Sequence, residues 1–183
     1  GTRTVRGVLQ TRRGHVGMQI GLNQLVIVDG TNGYVYDLQS QAFTQITAEG
    51  WLGSDTVGYL AGYFIFIDPN TQTWYRSELE DALALAPLDF ATANSSPDKL
   101  VGQAVTSNTL ILFGEVSAEP WQSDGNAELA FSRYEGALLP VGLMAPHTAK
   151  EMDNTIFWLG RDPRGAGTVY MMRGFTPVRI STD

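Results

Sequence analysis

The sequence predicts an all-β protein: a β-propeller-like array of about four four-stranded antiparallel units, a partial propeller, forming a single domain over residues 1–183. Three observations predict it. First, four short apolar runs recur, at 25–28, 64–67, 110–113 and 156–159, each closed by Asp or Gly. Their last residues, 28, 67, 113 and 159, are 39, 46 and 46 positions apart, the spacing of sheets of roughly 40–50 residues. Second, the flanks of each run repeat along with it. Third, twenty glycines and eight prolines punctuate the chain and no helical period is sustained.

In the first unit Val16, Met18 and Ile20 alternate ahead of the run. Asp29-Gly30-Thr31-Asn32-Gly33 then turns into Tyr34-Val35-Tyr36, and 43–46 closes the unit. In the second, Val57, Tyr59 and Ala61 alternate, the turn 68–72 leads to Thr73-Trp74-Tyr75, and 88–92 closes. Val101, Gln103 and Val105 open the third, which 129–133 closes. The fourth opens less clearly at 147–152; its turn 162–165 leads to Thr168-Val169-Tyr170 and then 178–180. Near-continuous apolar strands are buried on both faces, whereas alternating ones keep one face wet. Stacking the units face to face buries the former. A β-sandwich of similar hairpins is the alternative, and repetition of the whole four-strand unit favours the propeller.

Two segments depart from the pattern. Residues 77–85 carry helix formers with acids early, which predicts one or two helical turns ended by Pro87. The first thirteen residues hold Arg3, Arg6, Arg12 and Arg13, and no acid precedes Asp29. They read either as a basic arm or as a leftover strand of an incomplete unit, and the strand is preferred.

Hydrophobic residues are 43% and charged residues 17% of the chain, a composition of folded protein rather than of disorder or coiled coil. A net charge of -7 argues against a nucleic-acid-coating surface. The absence of cysteine excludes disulfides, thiolate metal sites and cysteine catalysis. The apolar runs fall far short of the roughly 20 residues of a membrane-spanning helix, and no charged-then-apolar leader opens the sequence. Ten of the twelve basic residues are arginine, the exceptions being Lys99 and Lys150. Arginine suits interfaces, though a biased genome composition gives the same count.

Candidate chemistry is sparse. His15 and His147 lie 132 positions apart, without ligand-spaced neighbours, and read as surface or turn residues. Neither a nucleophile elbow nor a phosphate-binding loop occurs. Paired carboxylates of the kind that cleave glycosides are conceivable at Glu115 with Glu119, Glu78 with Asp81, or Asp124 with Glu128, all in polar turns or edges. Trp51, Trp74, Trp121 and Trp158 suit either a sugar-binding surface or the core between sheets, and the core is favoured. The segment 29–33 lacks the alternating acids of a calcium loop and reads as a hairpin turn. No catalytic, cofactor-binding or metal-binding residue is assigned.

The words Leu88-Asp89-Phe90-Ala91-Thr92-Ala93, Ser96-Pro97-Asp98-Lys99-Leu100-Val101-Gly102, Leu112-Phe113-Gly114-Glu115 and Glu119-Pro120-Trp121 resemble the packaged-DNA stabilisation proteins of short-tailed bacteriophages. The likeness continues at Arg133, Gly136 and Gly142, through 153–162, and at Gly165, Gly167, Gly174-Phe175-Thr176-Pro177 and Arg179-Ile180-Ser181-Thr182. This resemblance implies a tail accessory or hub protein with a β-propeller-like fold, a structural protein and not an enzyme, located in the virion after synthesis in the host bacterial cytoplasm. It implies as partners the phage portal protein, which it helps to close, the tail needle and tailspike proteins, and further copies of itself as a homo-oligomer. No membrane and no sequence-specific nucleic acid is expected among the partners, and no cofactor. Family members extend on both sides of the matched region, so the chain is expected to be an internal fragment whose open strand edges invite self-association. A carbohydrate-binding or glycan-cleaving phage tail module is the alternative function.

Overall fold

The computed structural model describes residues 2–86, 90–93, 98–125, 129–161 and 165–181. Sixteen strands form four four-stranded antiparallel sheets, each a simple meander in chain order. Sheet 1 holds β1 (Gly17–Ile20), β2 (Gln24–Val28), β3 (Gly33–Asp37) and β4 (Phe43–Gln45); sheet 2 holds β5 (Val57–Leu60), β6 (Tyr63–Ile67), β7 (Thr73–Arg76) and β8 (Phe90–Thr92). Sheet 3 comprises β9 (Leu100–Thr106), β10 (Thr109–Gly114), β11 (Ala118–Ser123) and β12 (Phe131–Arg133); sheet 4 comprises β13 (Lys150–Met152), β14 (Thr155–Arg161), β15 (Gly167–Arg173) and β16 (Thr176–Arg179). The four apolar runs are the second strands, β2, β6, β10 and β14. The fold is the β-propeller array read from the repeat, not a β-sandwich, and no ladder joins the first sheet to the last among the described residues.

The core lies between successive sheets, as the two-sided burial of the second strands requires. Val26, Val28 and Val35 of sheet 1 pack on Phe64, Phe66 and Tyr75 of sheet 2. Ile65, Ile67 and Trp74 of sheet 2 pack on Leu110, Leu112, Trp121 and Phe131 of sheet 3. Ile111 and Phe113 of sheet 3 then meet Ile156, Trp158 and Tyr170 of sheet 4. Every β6 and β10 residue past the first is buried, alternate side chains serving opposite seams. Sheets 1 and 4 share no such cluster among the described residues.

Two expectations fail. Residues 77–85 form no helix but two tight turns joined by a Glu78–Asp81 bridge. Glu80 adopts φ 57°, its N–H bonded to the Gly62 carbonyl (2.7 Å), and the Ala82 N–H is bonded to Gln24 Oε1 (2.9 Å). Helix nucleation is costly in so short a segment, and burial of Ala82 and Leu85 between sheets 1 and 2 outweighs propensity. Pro87, expected to end that helix, lies outside the described residues, as do Leu88 and Asp89.

The amino-terminal residues are likewise no strand. The described part of the arm, from Thr2, lies across the face of sheet 1 turned away from sheet 2. Gly7 rests directly on the Phe43 ring, leaving no room for a side chain. The Gln10 N–H donates to the Tyr34 hydroxyl (2.9 Å), and the Arg6 guanidinium sits 6.0 Å from the Tyr36 ring centroid. Tyr34 is thereby buried although no sheet covers it.

Candidate functional site

Several residues that carry the resemblance to packaged-DNA stabilisation proteins build the array. Asp98 is an example. Its Oδ2 accepts the N–H groups of Val116 (2.8 Å) and Ser117 (3.1 Å), tying off the β10–β11 turn. Gly114 faces that carboxylate so closely that a β-carbon would collide with it. Gly142 abuts the backbone of 114–116 in the same way, and the Leu143 N–H reaches the Gly114 carbonyl (2.9 Å). These words, remote in sequence, meet around the β10–β11 turn.

The tryptophans belong to the seams too. Trp51 meets Phe66 edge-on at 5.2 Å and donates its indole N–H to the Thr31 carbonyl (2.9 Å). Trp74 and Trp121 cross at 5.1 Å between sheets 2 and 3, and Trp158 lies 5.4 Å from Phe113 between sheets 3 and 4. Trp74, Trp121 and Trp158 are buried, so they offer no flat surface to a sugar. Arg76, also buried, stacks 4.6 Å above Tyr63 and donates to the Leu129 carbonyl (2.8 Å), linking sheets 2 and 3. That is the use of arginine that suits an interface.

The carboxylate pairs do not converge on a cleft. Glu115 is exposed and Glu119 buried. Glu78 and Asp81 share the turn described above, and of the third pair only Asp124 lies within the described residues. In the 29–33 turn Asp29 Oδ1 accepts the N–H groups of Thr31 (3.2 Å) and Asn32 (2.7 Å), so the carboxylate holds its own loop. No group of three or more metal-ligating side chains occurs among the described residues.

Two histidines missed as a pair come together. His15, just before β1, and His147, shortly before β13, stack with ring centroids 3.6 Å apart and planes 16° from parallel. They lie at the wall of a cavity of about 560 Å³ lined by the first strands β1, β5 and β9 and by the start of β13. Burial, then the charge of His15, then Lys150 hold the His147 imidazole below its ordinary pKa of 6.5, with Asp55 opposing. Gln103 on β9 spans the cavity floor, its amide donating to the carbonyls of Ile65 (2.8 Å) and Thr56 (3.3 Å). Nothing in the sequence signals the pairing, because it depends on how the first and fourth sheets approach. Elsewhere, burial pushes the Tyr75 phenol up while its hydroxyl donates to the Gly53 carbonyl (2.7 Å), and the Ser40 N–H holds the Asp37 carboxyl down.

One sheet face joins no apolar cluster with another sheet among the described residues. On sheet 4 the register places Phe157 opposite Met171, Leu159 opposite Val169 and Met171 opposite Val178, all on the side away from Ile156 and Trp158. The same side carries Lys150, paired with Phe157, and Arg161 and Arg173 at its two ends. Val169 is exposed, and Phe157, Leu159, Met171 and Val178 are half-buried. The result is an apolar strip with cations at its margins on a chain of net charge -7.

Residues 2–183 match the β-propeller family described as bacteriophage P22 Gp10. The chain belongs to this phage stabilisation family. The family is one of phage structural proteins that stabilise DNA, so membership makes this a virion structural protein. No curated protein sequence matches. Among solved structures, the chain is similar to the computationally designed Ika4 protein (TM-score 0.54, 10% identity, covering 91% of this chain and 96% of that one). It is similar as well to KlHsv2 with loop 6CD replaced by a Gly-Ser linker (0.57, 8%, 92% and 55%) and to the N-terminal domain of Nup159 (0.53, 11%, 91% and 47%). These likenesses show the fold. The chain spans nearly all of Ika4 and about half of the other two.

Proposed function

We propose that this phage stabilisation protein acts as one domain that binds the portal ring, helps close the DNA exit channel, and offers a platform to the tail needle and tailspikes. Several copies would assemble around the ring, within the virion. The observation that carries the reading is the apolar strip on sheet 4. Holding packaged DNA calls for large contacts between rigid surfaces, with apolar centres and arginine anchors. Phe157, Leu159, Val169, Met171 and Val178 supply the centre, and Arg161 and Arg173 the anchors. The acidic balance of the chain gives it no general affinity for DNA, so closure here is a protein contact and not a grip on the genome.

Sedimentation with purified portal rings tests the reading. The chain should co-sediment, and Val169→Glu with Met171→Glu should weaken that binding by at least about tenfold while leaving the thermal midpoint nearly unchanged. Absence of binding by a folded chain overturns it, as does cleavage of host surface polysaccharide.

A further inference from the structure

Each neighbouring pair of sheets is joined by an apolar cluster, but sheets 1 and 4 are not so joined among the described residues. Where they approach, the ring contact is His15 on His147, and both residues line the cavity framed by the first strands. We propose that this stacked pair is an acid-sensitive latch between the first and last sheets: closed while at least one ring is neutral, and released when both are protonated.

The argument starts from the surroundings of the pair. Lys150 on β13 acts on His147 with the same sign as a protonated His15, and Asp55, in the connection between sheets 1 and 2, acts with the opposite sign. Glu151 on β13 and Tyr59 on β5 line the same cavity; β1 and β9 bring no ionisable side chain to it, and Arg13 precedes His15 in the chain. Asp55 thus offers compensation for one proton. A second proton sets two cations face to face at 3.6 Å beside Lys150. Such a pair loses its protons in two steps, and the doubly charged state is the one that cannot stay stacked. His147 also holds φ 68°, a backbone state that its neighbours must maintain, so loss of the stack frees the segment leading into β13. Among the described residues the sheet 1–4 junction has no apolar cluster to hold it closed in its place.

The chain has these two histidines and no others, and imidazole is the side chain whose ordinary charge change falls between about pH 5 and about pH 8. Ring resonances followed by NMR, together with hydrogen exchange on the whole chain, test it. The His147 midpoint should fall below 6.5. Protection of amides in 15–20 and 147–152 should drop about tenfold on acidification, after correction for intrinsic exchange, while β6 and β10 hold theirs. His15→Phe keeps an aromatic partner at a position of ordinary backbone and removes one charge. In that variant the His147 midpoint should move up towards 6.5 and the acid-induced loss of protection should vanish. A wild-type midpoint at or above 6.5, equal protection at both pH values, or an unchanged acid response in His15→Phe overturns the latch.

Discussion

At the scale of single residues, Asp98 shows a carboxylate used for structure. It is an internal acceptor, closing a turn through the Val116 and Ser117 amides. Asp98→Ala should remove two hydrogen bonds, each of about 0.5–1.5 kcal/mol, and cost about 1–3 kcal/mol. For a domain of this size that lowers the thermal midpoint by about 2–4 °C per kcal/mol. The exposed Glu115, replaced by Ala, should stay within about 0.5 kcal/mol of the parent, and equal effects at the two positions would contradict the assignment. His147 adds a pH term of definite sign. Its pKa is lowered in the fold, so its contribution is fully present above 6.5 and is lost as pH falls through the lowered value. Thermal unfolding between about pH 7.5 and about pH 5 should show stability falling on the acid side, and flat stability there would contradict it.

At the scale of elements, the strands were legible because two-sided burial leaves a chemical mark. Runs such as Phe64-Ile65-Phe66-Ile67 have no polar alternation, since alternate side chains enter different seams. Trp158→Ala empties one seam and should cost about 3–5 kcal/mol. Met152→Ala, on an exposed strand end, should cost well under 1 kcal/mol, and a denaturant titration ranks the two. The segment 77–85 was misread because its composition favours a helix while its fate is decided by tertiary contacts: Gly62 beneath Leu79 and Glu80, and Gln24 reaching Ala82. Glu80→Gly should therefore be neutral or stabilise by up to about 1 kcal/mol, since Glu80 holds φ 57°. A helix there would instead lose about 1 kcal/mol. The arm was misread for a similar reason. Arg6, Gly7 and Gln10 find Tyr36, Phe43 and Tyr34 only after sheet 1 has formed.

At the scale of the whole molecule, the repeat carried the architecture, and the ordered family words carried the kinship. What neither carried is how the ends of the array meet. That is where the His15–His147 stack and the apolar strip of sheet 4 lie. Both depend on relative placement of sheets far apart in sequence, which leaves no local pattern. An array whose seams are filled with aromatic and aliphatic side chains is stiff, and stiffness is what the proposed closure needs. The most direct measurement is DNA escape from filled phage heads that lack their native closure, read as nuclease-sensitive DNA over time with and without the added chain. The account predicts that the chain slows escape and that Val169→Glu with Met171→Glu loses most of that effect; escape unchanged by a folded chain at saturating concentration would contradict it.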